Sequence, residues 1–138
     1  MNLISSISKS VLLCISLCVL SCNKDTTSNE LTLSYQYLAD KTWYLDYSQT
    51  SSLTKTYIGQ STYFINFRKD KKTIDSDGLD GTYSVEKINN HLQIHVQAVT
   101  MQLNPIEYIY NIESIGAKHL VLSYTTGGTI TTLFYSIK

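Results

Sequence analysis

The chain has 138 residues, the length of one ordinary domain. Eleven lysines and arginines balance eleven aspartates and glutamates, which argues against nucleic acid as a partner, because no excess of positive charge exists to neutralise phosphates. Eleven tyrosines, one tryptophan and a single proline favour strands over helices. All three cysteines lie at or before position 22, so the rest of the chain has neither a disulfide framework nor a thiolate metal site.

The first element in chain order is a leader. Lys9 precedes ten mostly apolar residues, 11–20, about half of the roughly 20 needed to span a bilayer, so residues 1–21 read as a signal peptide and not as a transmembrane helix. The segment Val19-Leu20-Ser21-Cys22 resembles the lipobox of bacterial lipoproteins. That resemblance implies cleavage before Cys22 and acylation of its sulfur and amine, a lipid load sufficient for stable attachment to a membrane. It further implies the bacterial cell envelope, and with Asn23 rather than an aspartate after the cysteine, the outer membrane. Loss of Lys9 with the leader leaves ten basic against eleven acidic side chains. Residues 22–30 are polar, lack aromatics and read as a flexible tether.

Residues 31–138 form the expected domain. Residues 31–40, with Leu31, Leu33, Tyr35, Tyr37 and Leu38, fit a short helix or irregular plug leading into the first strand. Period-two alternation follows, the pattern of half-buried strands. It is clearest in residues 91–97, where Leu92, Ile94 and Val96 alternate with polar residues, and it recurs in residues 43–47, 63–68, 82–86, 106–112 and 119–124. The inward set reads Trp43, Leu45, Tyr47, Tyr63, Ile65, Phe67, Tyr83 and Val85, continued by Ile106, Tyr108, Tyr110, Ile112, Leu120, Leu122 and Tyr124. The last run, 129–137, is apolar on both parities, and its inward face is open.

Turn signals separate the runs: Lys69-Asp70-Lys71, Asp80-Gly81, Asn89-Asn90, Gly116-Ala117 and Gly127-Gly128. With a short strand at residues 73–75, about eight strands follow one another at roughly ten-residue spacing. The expected fold is all-β, an antiparallel up-and-down eight-stranded barrel whose closure removes exposed edges; a β-sandwich is the alternative. Lys41-Thr42-Trp43-Tyr44-Leu45, the strand of Phe64 to Arg68 with its following turn, Tyr83-Ser84-Val85 and the closing strands resemble the small lipocalin-like domains of bacterial lipoproteins. Lys41 stands where lipocalins carry the glycine of Gly-x-Trp. The resemblance implies a lipocalin-like barrel from about Leu38 to Lys138.

Chemistry-bearing clusters are few. Asp75-Ser76-Asp77-Gly78-Leu79-Asp80-Gly81 is dense in carboxylates, but Leu79 and Asp80 stand where a calcium loop of EF-hand type needs an oxygen ligand and a glycine, so a hydrated turn is the better reading. His91 and His95 share one strand face about 13 Å apart, too far for a common metal, and His119 is solvated. No arrangement of nucleophile, acid and base is present in order or spacing, so the sequence points to no enzyme, cofactor or metal. Trp43, Tyr63, Phe67, Tyr83, Tyr108 and Tyr110 either fill the interior of a small barrel, the first expectation for eight short strands, or bind a small hydrophobic molecule held at the barrel mouth. The alternative is an accessory lipoprotein that meets an envelope protein through outward Tyr44, Phe64 and Ile109.

Overall fold

The computed structural model describes residues 26–99 and 104–138. The leader, the lipobox and Cys22 lie outside the described residues. The chain forms two compact units that divide after residue 30, and the second, Leu31–Lys138, carries every strand among the described residues.

A helix, α1, covers Thr26–Leu38. It begins inside the segment expected to be a tether, so residues 26–30 are helical; only 22–25 of that segment fall outside the described residues. No glycine or proline interrupts residues 26–38, and once a docked turn exists each added residue gains a hydrogen bond for one pair of fixed dihedrals. The docking stripe is Leu31, Ser34, Tyr35 and Leu38, spaced i, i+3, i+4, i+7, with Ser34 and Leu38 buried. The helix ends without glycine. Ala39 N–H donates to Tyr35 O at 2.9 Å, Asp40 takes a left-handed φ of 56°, and Asp40 N–H then donates to Phe67 O at 2.7 Å.

Among the described residues nine strands follow: β1 (Lys41–Gln49), β2 (Thr54–Thr56), β3 (Phe64–Phe67), β4 (Lys72–Asp75), β5 (Asp80–Ile88), β6 (His91–Val99), β7 (Pro105–Ile115), β8 (His119–Thr126) and β9 (Thr129–Ser136). Each of β3 to β8 pairs antiparallel with the next, and β1 pairs with both β3 and β9, which closes an eight-stranded barrel. The expected all-β, antiparallel up-and-down barrel is therefore the observed fold. The extra strand, β2, lies on the same edge of β1 as β3 and extends it. Leu45 N–H donates to Tyr63 O and Tyr57 N–H to Asp46 O, so residues 57–63 loop out between two halves of one interrupted edge.

Turn chemistry matches the hairpins. Asn89 and Asn90 at φ 50° and 67°, and Gly127 and Gly128 at 57° and 78°, are the paired positive-φ positions of two-residue hairpins. Asp80-Gly81, expected as a turn, instead opens β5. Gly81 sits opposite Ala98, and a Cβ there would collide with Gln97 O; close approach of β6, not turn geometry, requires this glycine.

Ten residues form the buried core, with Trp43, Phe67, Ile94, Leu120 and Leu122 in the barrel and Leu38 on α1 among them. Trp43, fully buried, donates Nε1–H to Leu38 O at 3.1 Å, joining the last turn of the helix to the first strand. Tyr35 Oη donates to Lys69 O at 2.7 Å, and Tyr83 Oη to Arg68 O at 2.8 Å, so two tyrosines pin the β3–β4 turn at this end. Lys69 Nζ meets Asp40 at 2.8 Å on the surface beside them, and that bond holds the Asp40 carboxyl below its ordinary pKa.

Two β-bulges correct the expected inward set. Between Leu45 and Tyr47 the register against β9 slips by one, so Tyr47 pairs with Phe134 and stacks on it at 4.1 Å on the outer face. Tyr47 is therefore not an inward residue. A second slip, between Ile112 and Ser114, brings Ile115 into line with Leu120. The last strand resolves to odd parity, with Leu133, Tyr135 and Ile137 packed against the core.

Strand β4 has a reversed pattern. Thr73 faces inward opposite Phe67, whereas Ile74 is 45% exposed. Thr73 Oγ1 is buried and has no hydrogen-bond partner among the described residues. Because an unpaired buried hydroxyl costs about 1–3 kcal/mol, Thr73→Val, which keeps the shape, should raise unfolding free energy by about 1 kcal/mol. Urea denaturation measures this; a loss of stability would mean that the hydroxyl has a partner.

Candidate functional site at the barrel mouth

The two ends of the barrel differ. At the end where β1 starts and β3 finishes, Leu38 and Trp43 fill the interior. At the other end the walls stand apart around a partly open cavity of about 230 Å³. Five tyrosines line it: Tyr63, Tyr108, Tyr110, Tyr124 and Tyr135. Leu45, Leu79 and Leu133 add apolar wall, and Asp75 and Asp77 bring carboxylates to the rim.

Register explains each position. Cross-strand partners share a face of a sheet. Tyr108 and Tyr110 pair with Val96 and Ile94, both buried, so both rings point inward. Tyr135 pairs with Leu45 on one side and with Leu120 on the other. Asp75 pairs with buried Ile65, which turns its carboxyl toward the interior. Tyr63 ends the 57–63 loop, 39% exposed, with its ring edge-on to Tyr57 at 4.8 Å.

Three of these tyrosines form a continuous aromatic wall. Tyr108 and Tyr110 stack at 5.9 Å, and Tyr124 meets Tyr110 at 5.9 Å and 81°. Burial raises the pKa of Tyr110 and Tyr135 well above the phenolic range, and the neighbouring Tyr108 and Tyr110 hydroxyls respectively add to it, followed by the Asp75 charge. Both hydroxyls stay protonated at any physiological pH.

Asp75 is held by the turn that follows it. Its Oδ1 accepts the N–H of Asp77 at 2.8 Å and of Leu79 at 3.0 Å, and Gly78 closes the turn at φ 77°. A turn is thus present as expected, but Asp75 belongs to β4 and its half-buried carboxylate faces the cavity. Burial raises the Asp75 pKa; the two N–H bonds oppose the shift and the Asp77 charge reinforces it. No lysine, arginine or histidine lines the cavity, and among the described residues none forms an ion pair with Asp75 or Asp77.

Three of the expected ligand-binding residues, Tyr63, Tyr108 and Tyr110, meet in this cavity. The other three lie elsewhere. Trp43 and Phe67 are fully buried in the filled end, and Tyr83 packs between Phe67, edge-on at 4.9 Å, and Tyr35, stacked at 6.4 Å. Inward parity does not distinguish the two ends of a strand, and the helix that fills one end was not placed by it. Sequence reasoning missed Tyr135 and Asp75. The register of the β3–β4 hairpin carries the signal for Asp75, since Phe67 opposite Thr73 places Ile65 opposite Asp75.

The histidines stand outside this site. His95 Nε2 lies 3.4 Å from Gln93 Oε1, and His119 Nε2 lies 3.1 Å from Ser114 Oγ. Among the described residues no group of three His, Cys, Asp or Glu side chains could hold a metal ion, and no helix is long and apolar enough to cross a membrane. Compared with protein-family models, curated proteins and solved structures, the chain matches none.

The Asp75 shift fixes a sign. A carboxyl whose pKa is raised by folding favours the folded state below its unfolded value near 3.8 and loses that contribution as pH rises through the folded value. Asp75→Asn keeps the Oδ1 acceptor and removes the charge. The melting temperature of Asp75→Asn minus that of the parent should therefore increase from about pH 4 to about pH 6. A difference that falls over that range would show the carboxylate to be stabilised by its surroundings.

Proposed function

We propose that this protein is a lipid-anchored lipoprotein of the bacterial envelope whose lipocalin-like barrel holds one small hydrophobic or amphipathic molecule at its mouth. The observation that carries this reading is the hollow between the tyrosines at the unfilled end. Other depressions of the surface are as large, but this hollow of about 230 Å³ opens into the barrel and is lined by five tyrosine rings. Small-ligand sites combine apolar wall with a few oriented polar groups, and the tyrosine hydroxyls with Asp75 supply those. At roughly 30 Å³ per water the space equals about eight waters, which limits the occupant to a compact molecule or one end of a longer one.

In this reading Cys22, acylated, holds the domain at the outer membrane, and the barrel binds without catalysing. Among the described residues the cavity walls offer no nucleophile paired with a base, and the hydroxyls of Tyr110 and Tyr135 are kept neutral by burial. Binding by a rigid barrel needs little rearrangement.

Two measurements test the two halves of the proposal. Native mass spectrometry of the protein purified from its own membranes should show a retained small-molecule adduct, lost in Tyr110→Ala; bare protein in repeated preparations would speak against a resident ligand. Labelling cells with a palmitate analogue should mark the parent and leave Cys22→Ala unlabelled and in the soluble fraction. An unlabelled parent would remove the anchor.

A further inference from the structure

The cavity has an unusual charge balance for an apolar-ligand site. Its wall carries two carboxylates, Asp75 and Asp77, and no cationic side chain. Aromatic rings also present a negative face to any ligand that stacks on them, and five tyrosines line this cavity. Asp75 is partly withdrawn from water, and among the described residues no base is paired with it. Its Oδ1 accepts two turn N–H groups, which fixes the carboxyl in place before any ligand arrives.

A ligand meets this field in one of three ways. An anion, such as a fatty acid head, is repelled by both carboxylates. A neutral apolar molecule strips further water from Asp75 without replacing it, at a cost in affinity. A cation neutralises Asp75 in a medium of reduced dielectric and gains cation–π attraction from the rings around it. The tyrosine pair Tyr108 and Tyr110 with Tyr124 edge-on gives such a group aromatic surface on more than one side.

We infer that the barrel mouth is a site for a small organic cation, an ammonium group carried on a compact apolar body, with Asp75 as counter-ion and Tyr108, Tyr110 and Tyr135 as its aromatic wall. This rests on the reading of the mouth as a ligand site and names the ligand's chemical class. The size of the cavity sets the body at about ten non-hydrogen atoms, near that of a phenethylamine.

The test compares three probes of one shape and different charge, titrated calorimetrically into the full chain in a charge-neutral maltoside detergent at pH 7.5: phenethylammonium, 2-phenylethanol and 3-phenylpropanoate. Phenethylammonium should bind one to one, about tenfold or more tighter than 2-phenylethanol, with 3-phenylpropanoate weakest. Asp75→Asn, which retains the turn acceptor, should lose about tenfold for the ammonium probe and bind 2-phenylethanol as tightly as the parent or tighter. Asp77→Asn, farther along the turn, supplies a second variant should the first unfold, with a smaller loss in the same direction. Affinity for the ammonium probe should also fall as acid protonates Asp75, while that for 2-phenylethanol holds or rises. Equal binding of the three probes, or preference for the carboxylate, overturns the cation assignment and leaves the pocket standing. Absence of binding by all three overturns both.

Discussion

The structure depends on the corner between α1 and β1. The fully buried indole of Trp43 donates its one polar hydrogen to the carbonyl of Leu38, a group that the end of the helix leaves without an intrahelical partner. This single bond satisfies two polar groups that burial would otherwise penalise, and it places Leu38 and Trp43 side by side in the barrel. Asp40 makes the corner possible by turning left-handed, and its N–H joins the end of β3. Tyr35 and Tyr83 then fasten the β3–β4 turn over the same end. One end of the barrel is thereby filled by the chain itself.

Filling one end leaves the other to the strands alone. Eight short strands enclose a space that side chains nearly fill, and at the mouth the inward positions belong to tyrosines and to β4. Tyrosine is too rigid to collapse into a void. The polar inward residue of β4 at this end, Asp75, does not pack as a leucine would. The cavity is thus a consequence of composition at particular registers, and the same composition gives it a negative interior. Burial keeps the Tyr110 and Tyr135 hydroxyls protonated at this end, and among the described residues the Asp75 carboxylate has no paired base.

Much of the fold was legible in the sequence because alternation with period two survives wherever strands run without interruption. Leu92, Ile94 and Val96, or Leu120 and Leu122, face inward as their spacing requires. Reading fails where one residue breaks the period. The bulge after Leu45 sends Tyr47 outside, and no local feature of Trp43-Tyr44-Leu45-Asp46-Tyr47 announces it, since a bulge is settled by the partner strand. The doubly apolar run of β9 was undecidable alone and is fixed by its two neighbours, Leu45 opposite Tyr135 and Leu122 opposite Leu133. The mouth was half legible: aromatic parity found Tyr63, Tyr108 and Tyr110, but which end of the barrel is filled is decided by α1, whose register on the strands no periodicity contains.

Trp43 is the chain's only tryptophan, so its indole N–H is a unique probe of the corner on which the account rests. Native-state hydrogen exchange followed by proton–nitrogen NMR measures that single resonance. The account predicts exchange only through global unfolding, at a rate equal to that of the slowest amides in β6 and β8. Exchange within minutes under stable conditions would contradict it, because the helix-to-strand corner would then open independently of the barrel.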